Sequence, residues 1–204
     1  IKGLQNNGML ATAKHFPGHG DTETDSHSSL AQIPSDSTRL WTVELEPFKK
    51  VIDAGVDAVM VAHVNAPDFQ EHAENPATLS KFWIQDILKT KLEFDGVVIT
   101  DAMRMGGIVK NYSDKYALLE TINAGSDIII QNMDLKRSID HIEKAVLNGI
   151  ISEERINTSA LKVLKMKEKL GLHNNRMLSI KDTYTKVGRQ KNLSLIHISE
   201  PTRP

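Results

Sequence analysis

The chain has 204 residues, of which 40% are hydrophobic and 25% are charged, and its formal net charge is −1 at pH 7. This composition is that of an ordinary globular domain, and it excludes a disordered, collagen-like or strongly charged tail protein. The near-zero net charge gives no basic surface of the kind that binds nucleic acid. The absence of cysteine excludes disulfides and thiolate metal sites. No apolar run approaches the roughly 20 residues that span a bilayer.

Hydrophobic periodicity predicts strands and helices that alternate along the chain. Apolar runs typical of buried strands lie at 8–15, 57–63, 96–100 and 127–131. Helical stripes and capping residues predict helices at 38–54, at 80–92, up to Gly125, at 134–148 and at 153–170. Four strand–helix units predict a parallel sheet covered by helices. A doubly wound fold and half of a (β/α)8 barrel both fit this order.

Polar residues follow the predicted strands where each strand ends. In both candidate folds, ligands bind at the carboxyl ends of the strands. Lys14 and His15 end the first strand, Asp101 ends the third, and residues 131–132 end the fourth. His63 ends the second strand between apolar neighbours, so we expect a packed, hydrogen-bonded histidine there rather than a catalytic one.

The polar segment after the first strand is rich in histidine and carboxylate residues. Asp25 and His27 are two residues apart, so a turn between them would let the carboxylate accept the Nδ1 hydrogen and raise the basicity of the imidazole. A histidine with a pKa near 6.5 can donate and accept a proton near neutral pH. Together with the Asp101 carboxylate, this pair suggests retaining glycoside hydrolysis, in which one group protonates the leaving oxygen while a carboxylate attacks the anomeric carbon from the other face. Asp101 taken alone slightly favours a helix N-cap over a functional carboxylate.

A metal site is the competing interpretation of the same segment. The available nitrogen and oxygen donors are His15, His19, Asp21, Asp25 and His27. Their spacing matches neither an HxH pair at a strand end nor HExxH, and Pro17 and Gly18 separate the histidines. The sequence therefore favours acid/base chemistry over a metal site.

The segment 14–27 reads KHFPGHGDTETDSH. It resembles the signature of bacterial β-N-acetylglucosaminidases of glycoside hydrolase family 3, which is KH(F/I)PGHG, four residues and then DSH. Further matching stretches follow in the same order at 44–50, 59–64, 76–80, 96–103, 151–157 and 169–172. The resemblance covers about residues 3–173.

The resemblance implies an α/β chain that forms the C-terminal half, about four β/α units, of a (β/α)8 TIM barrel. It implies that Asp101 is the nucleophile that forms a glycosyl-enzyme intermediate. It further implies that His27 is the general acid/base, with Asp25 as its dyad partner. Lys14 and His15 match the pair that hydrogen-bonds the sugar hydroxyls.

The same resemblance implies a small carbohydrate substrate with terminal, non-reducing β-linked N-acetylglucosamine, as in muropeptides or chitooligosaccharides. It implies no metal and no organic cofactor. Family members occur in the cytoplasm and as exported proteins, so the compartment stays open. Other family 3 β-glycosidase specificities, a metal-dependent barrel hydrolase and an inactive carbohydrate-binding remnant remain the alternatives.

The expected organisation has three parts. Residues 1–173 form a partial barrel domain, 174–192 form a linker or the start of a following region, and 193–204 resemble translated sequencing adapter and form a non-native tail. Half a barrel leaves two sheet edges unpaired, and the acidic residue and arginine that the family's first four strands supply are absent. We therefore expect the chain alone to fold poorly and to be inactive.

Overall fold

The computed structural model describes residues 1–19, 30–33, 36–67, 75–131 and 134–174. The chain divides into two units, Ile1–Met166 and Lys167–Pro204. The described part of the second unit, 167–174, is the end of a helix and the turn after it. The expected tail at 193–204 and nearly all of the expected linker lie outside the described residues.

A parallel four-stranded sheet forms the centre of the first unit. Its strands in spatial order are β1 (Thr12–Phe16), β3 (Ala58–Val61), β5 (Val97–Ala102) and β6 (Ile128–Ile130). A separate parallel pair joins β2 (Ala31–Gln32) to β4 (Val64–Asn65). Each predicted strand region contributes one strand, and neighbours in the sheet follow one another in the chain, which confirms the parallel α/β prediction. Within the described ranges the sheet keeps two edges and does not close.

Helical segments alternate with these strands. The α-helices are α1 (Lys2–Gln5), α2 (Ser37–Arg39), α3 (Glu46–Asp53), α4 (Gly106–Val109), α5 (Asp114–Ala124), α6 (Leu135–Leu147) and α7 (Glu153–Lys169). A 3-10 turn lies at Ala77–Leu79, and π-helical segments lie at Leu40–Glu44 and Phe82–Lys91. No helix in the described ranges is long and apolar enough to cross a membrane.

The helix predicted at 38–54 is interrupted. Its first part is α2 and a π-helical turn, and α3 begins only at Glu46 with Pro47 in its first turn. Because Pro47 has no amide hydrogen, it cannot continue the hydrogen bonding of the preceding turn, although it suits the first turn of a new helix. The helices predicted at 134–148 and 153–170 are found within a residue of those limits.

The main core anchors the end of β1. Phe16, its last residue, is fully buried, with its ring edge-on to Phe48 at 5.3 Å and to Trp83 at 6.2 Å between centroids. Large buried aromatic side chains dominate the energetics of such a core. The residue immediately before Phe16 is therefore held at a well-defined place at the strand end.

Two aspartates, Asp57 and Asp127, link neighbouring strands at the amino ends of the sheet. Asp57 Oδ2 accepts a hydrogen bond from the Ala11 amide at 2.9 Å, and Asp127 Oδ2 accepts one from the Val98 amide at 3.0 Å. Asp127, whose side chain is 1% exposed, also pairs with Arg155 at 3.3 Å. These contacts stabilise the amino edge of the sheet, whereas the carboxyl edge carries the candidate site.

Candidate active site

β1 carries one extra residue near its carboxyl end. Ala13 lies opposite Val59 and Phe16 lies opposite Val61 on β3. Two residues of β1 therefore lie between these pairs, whereas β3 has only one. The irregularity falls at Lys14–His15, whose peptide bond is cis. Bulges of this kind re-aim side chains and are common beside active sites. The local backbone therefore sets the direction of the predicted sugar-binding pair.

β5 has the same feature at its own carboxyl end. Ile99 and Ala102 lie opposite Ile128 and Ile130 on β6, so β5 also has one residue more than its neighbour. Asp101 lies inside this irregular stretch. The predicted nucleophile is thus held on rigid strand backbone but leaves the regular alternation of the sheet.

His15 and Asp101 meet across the carboxyl end of β3. The His15 Nε2 atom lies 3.6 Å from Asp101 Oδ2, and the two side chains are 30% and 18% exposed. Asp101 Oδ1 accepts a hydrogen bond from the Ala102 amide at 2.7 Å. The structure therefore brings a partly exposed carboxylate and an imidazole into one site, with one carboxylate oxygen fixed by backbone.

Lys14 is exposed next to His15. With Thr12, Phe48 and Val51 it lines a cavity of about 370 Å³. Among the described residues it forms no ion pair with Asp101. Its predicted role toward a sugar stays a prediction.

Asp25, His27 and Asp21 lie outside the described residues, so their placement stays a prediction. The described chain on both sides of them is informative. It leaves the main sheet after β1 and next forms β2 of the separate strand pair, where Ala31 pairs with Val64 and the Ile33 amide donates to the carbonyl of Asn65 at 2.7 Å. Because β4 follows β3 directly, both ends of the connecting segment are fixed near the carboxyl edge of the main sheet.

Glu44 is a buried carboxylate that was not predicted as a site residue. Gly18 has φ +145°, and a Cβ placed there would lie 2.5 Å from Glu44 Oε2. Arg39 lies 3.6 Å from the other carboxylate oxygen. The glycine thus lets the chain after β1 pass directly over this carboxylate. The signal in the sequence was an acidic residue set between Val43 and Leu45 on an apolar stripe.

His63 is fully buried at the carboxyl end of β3, which confirms the expectation of a packed, hydrogen-bonded histidine. Its Nδ1 lies 2.7 Å from Thr78 Oγ1, and its Nε2 lies 3.0 Å from the carbonyl oxygen of Ala102. Burial lowers the pKa of His63 below its usual value, although the Ala102 hydrogen bond and the Asp101 carboxylate act in the opposite direction.

The metal alternative depends mainly on residues outside the described ranges. Within the described ranges no group of three or more His, Cys, Asp or Glu side chains could hold a metal ion. His15 and His19 are described, with ring centroids 6.0 Å apart. The other three candidate ligands are not, so a metal site there remains a hypothesis.

Comparison with known proteins identifies the family. The sequence model of the glycosyl hydrolase family 3 N terminal domain matches residues 1–166. The chain is 30% identical to beta-hexosaminidase A of Pseudoalteromonas piscicida, with 83% of the chain and 32% of that protein aligned. It is 29% identical to a beta-N-acetylglucosaminidase/beta-glucosidase of Cellulomonas fimi, with 85% of the chain and 32% of that protein aligned.

A solved structure shares the arrangement of strands and helices. The glycoside hydrolase family 3 beta-N-acetylglucosaminidase from Paenibacillus sp. str. FPU-7 is 40% identical, with a TM-score of 0.82 over 88% of this chain and 35% of that one. The chain therefore spans about a third of the length of each of these three similar proteins.

Proposed function

The chain belongs to the glycosyl hydrolase family 3 N-terminal domain family, and we propose that it supplies the nucleophile-bearing part of a retaining exo-glycosidase. The proposed substrate is terminal, non-reducing β-linked N-acetylglucosamine in muropeptides or chitooligosaccharides. The observation that carries the proposal is the Asp101 carboxylate beside His15 at the bulged end of β5. The names of the similar proteins support the substrate class.

In the proposed first step, an Asp101 carboxylate oxygen attacks the anomeric carbon and the bond to the leaving oxygen breaks. His27, oriented by Asp25, donates a proton to that oxygen. In the second step, water loses a proton to His27 and attacks the same carbon, which releases the sugar and restores the carboxylate. Two displacements retain the configuration at the anomeric carbon.

The described contacts give Asp101 the properties that this reaction needs. Its Oδ1 is held by the Ala102 amide at 2.7 Å, so the carboxylate has a preferred orientation before substrate binds. Its side chain stays partly exposed, which leaves room for a sugar. We assign His15, and Lys14 beside it, to the sugar hydroxyls next to the reacting carbon.

We also propose the domain division expected from the sequence. Residues 1–173 would form part of the catalytic barrel, 174–192 a linker or the start of a following region, and 193–204 a non-native tail. The family match over residues 1–166 and the one-third coverage of similar proteins support the first part of this division.

The test uses the full-length protein that contains this chain and measures p-nitrophenol release from its N-acetyl-β-glucosaminide. Asp101→Asn removes the nucleophile and is expected to lower kcat by at least about a thousandfold. Asp140→Asn, at an exposed position of α6, is the matched control and should keep wild-type turnover. A fluorinated N-acetylglucosaminide that traps the covalent intermediate should add one sugar to Asp101, as read by peptide mass spectrometry. Unchanged turnover in Asp101→Asn would remove Asp101 from the nucleophile role.

A broader β-glycosidase specificity is the second candidate, because the similar Cellulomonas fimi protein carries both names. The ratio of kcat/KM for the N-acetylglucosaminide and the glucoside decides between the two. Loss of activity with EDTA and its return with Zn²⁺ would instead support the metal-dependent hydrolase. Binding of N-acetylglucosamine without turnover would support the inactive remnant.

A further inference from the structure

We propose that His63 is a positioning residue for Asp101 and acts through the carbonyl group of Ala102. Its catalytic consequence rests on the proposed function, but the hydrogen bond itself can be tested separately. The geometry is direct, because the His63 Nε2 atom lies 3.0 Å from the Ala102 oxygen and Ala102 follows Asp101 in the chain.

Both backbone polar groups of Ala102 form hydrogen bonds. Its amide donates to Asp101 Oδ1 at 2.7 Å, and its carbonyl accepts from His63. A rotation of this strand end would move the amide and the carboxylate oxygen that it orients. The imidazole therefore limits the motion that would misalign the nucleophile.

The hydrogen-bond partner at Ala102 determines which imidazole nitrogen carries a hydrogen. A carbonyl oxygen can only accept, so Nε2 must carry a hydrogen and donate it. On the other side, Thr78 Oγ1 lies 2.7 Å from Nδ1 and 2.7 Å from the Ala62 carbonyl oxygen. The single hydroxyl hydrogen of Thr78 can serve Nδ1 when the ring is neutral, and Ala62 when Nδ1 is protonated.

On its Nδ1 side, the imidazole is held by a series of buried hydrogen bonds. Thr121 on α5 donates from Oγ1 to the Thr78 carbonyl at 3.0 Å, and His63, Thr78 and Thr121 are all fully buried. A buried polar chain is rigid when each member has a partner. This series of hydrogen bonds runs from α5 to Ala102, the residue after Asp101, so one of its ends lies at the site.

Two variants separate positioning from packing. In His63→Gln the amide nitrogen reaches nearly the place of Nε2 and keeps a donor for Ala102. In His63→Asn the shorter side chain keeps a polar group near Thr78 but does not reach Ala102. In the full-length protein we expect His63→Asn to lower kcat by about 10- to 100-fold with little change in KM, since small misplacements of a reacting group cost this much. His63→Gln should stay within about threefold of wild type.

Asp127→Asn is the structural control, because it weakens the ion pair with Arg155 at the amino edge of the sheet, at the opposite end from Asp101. It should lower Tm and leave kcat unchanged. Equal kcat losses in His63→Asn and His63→Gln at equal Tm, or no loss in either, would overturn the positioning role.

A readout without turnover keeps this test apart from that of the proposed function. Nitrogen-15 NMR of the same protein should show the His63 ring with its hydrogen on Nε2. The amide resonance of Ala102 should shift in His63→Asn and stay in place in His63→Gln. A wild-type protein without glycosidase activity but with these signals would refute the proposed function and leave the contact standing. An Nε2 atom without hydrogen, or an unmoved Ala102 amide, would refute the inference.

Discussion

The Nε2 atom of His15 lies 3.6 Å from Oδ2 of Asp101, although β3 separates their two strands. Neighbouring strands are about 4.8 Å apart, so strands with one between them are roughly 10 Å apart. The ends of β1 and β5 both depart from regular register at these residues, and the two side chains reach across the end of β3. The site thus lies at one edge of the sheet, between two strand ends that are both irregular.

Removing the His15 imidazole should weaken catalysis without unfolding the protein. The side chain is 30% exposed, so His15→Ala creates little buried cavity. If it donates to a sugar hydroxyl, its loss should lower kcat/KM by about 10- to 100-fold, the value of one strong hydrogen bond. Steady-state kinetics with the N-acetylglucosaminide measure this, with the exposed His173→Ala as control. Wild-type kcat/KM in His15→Ala would exclude contact with the substrate.

The proposed general acid/base can be tested through the leaving group. His27→Ala should lower kcat/KM by about 10²- to 10⁴-fold for a chitooligosaccharide, whose leaving oxygen needs a proton. For the p-nitrophenyl substrate, the loss of rate in the first step should be much smaller, because p-nitrophenolate leaves without needing a proton. Azide should restore turnover of the nitrophenyl substrate by replacing water as the nucleophile. The same loss for both leaving groups, without azide rescue, would contradict this role.

Gly18→Ala should disturb the chain that leads from β1 toward Asp25 and His27. Its Cβ would lie 2.5 Å from Glu44 Oε2, at a φ of +145° that side chains rarely adopt. We expect the free energy of unfolding to fall by about 1–3 kcal/mol, and kcat/KM to fall more than this instability explains. Gly8→Ala has φ +76° with nothing within 4 Å, so it separates backbone strain from the clash. Equal effects of both substitutions would show that the clash is unimportant.

Asp127→Ala should destabilise the amino edge of the sheet. Asp127 is 1% exposed, and its removal leaves Arg155 without its carboxylate and the Val98 amide without its acceptor. Breaking a buried ion pair from one side costs about 3–5 kcal/mol. Urea denaturation measures the loss. Asp95→Ala removes an exposed partner of Lys162 at 3.7 Å and should leave the urea midpoint nearly unchanged. A small effect of Asp127→Ala would contradict this account of the edge.

The stability of the fold should fall as the pH is lowered through the histidine range. The pKa of His63 in the folded protein is lowered from 6.5, chiefly by burial, so below about pH 6.5 the unfolded chain binds a proton that the folded chain resists. One such group changes the free energy of unfolding by at most about 1.4 kcal/mol per pH unit. Urea denaturation between pH 7 and pH 5 should show this fall, and His63→Gln should reduce it. An identical slope in His63→Gln would assign the pH dependence to other groups.

Local sequence determined much of the fold. Apolar runs rich in Val and Ile, interrupted by glycine and polar segments, predicted four strands that the structure confirms in a parallel order. They did so because burial of a strand on both faces requires continuous apolar residues. The same reasoning placed His15 and Asp101 at strand ends and anticipated that His63 would be packed. Pro47 was visible in the sequence, but its effect on the helix predicted at 38–54 was not.

Tertiary structure alone decided how these residues meet. The extra residues in β1 and β5 exist only relative to neighbouring strands, so no periodicity within one strand reveals them. The contact of Gly18 with Glu44 joins residues from separate elements, and the path from Thr121 through Thr78 and His63 to Ala102 is likewise non-local. Sequence determined which groups reach the carboxyl edge of the sheet, because strand ends are local features. Their distances and orientations depend on register and packing between elements, and these arise only when the chain has folded.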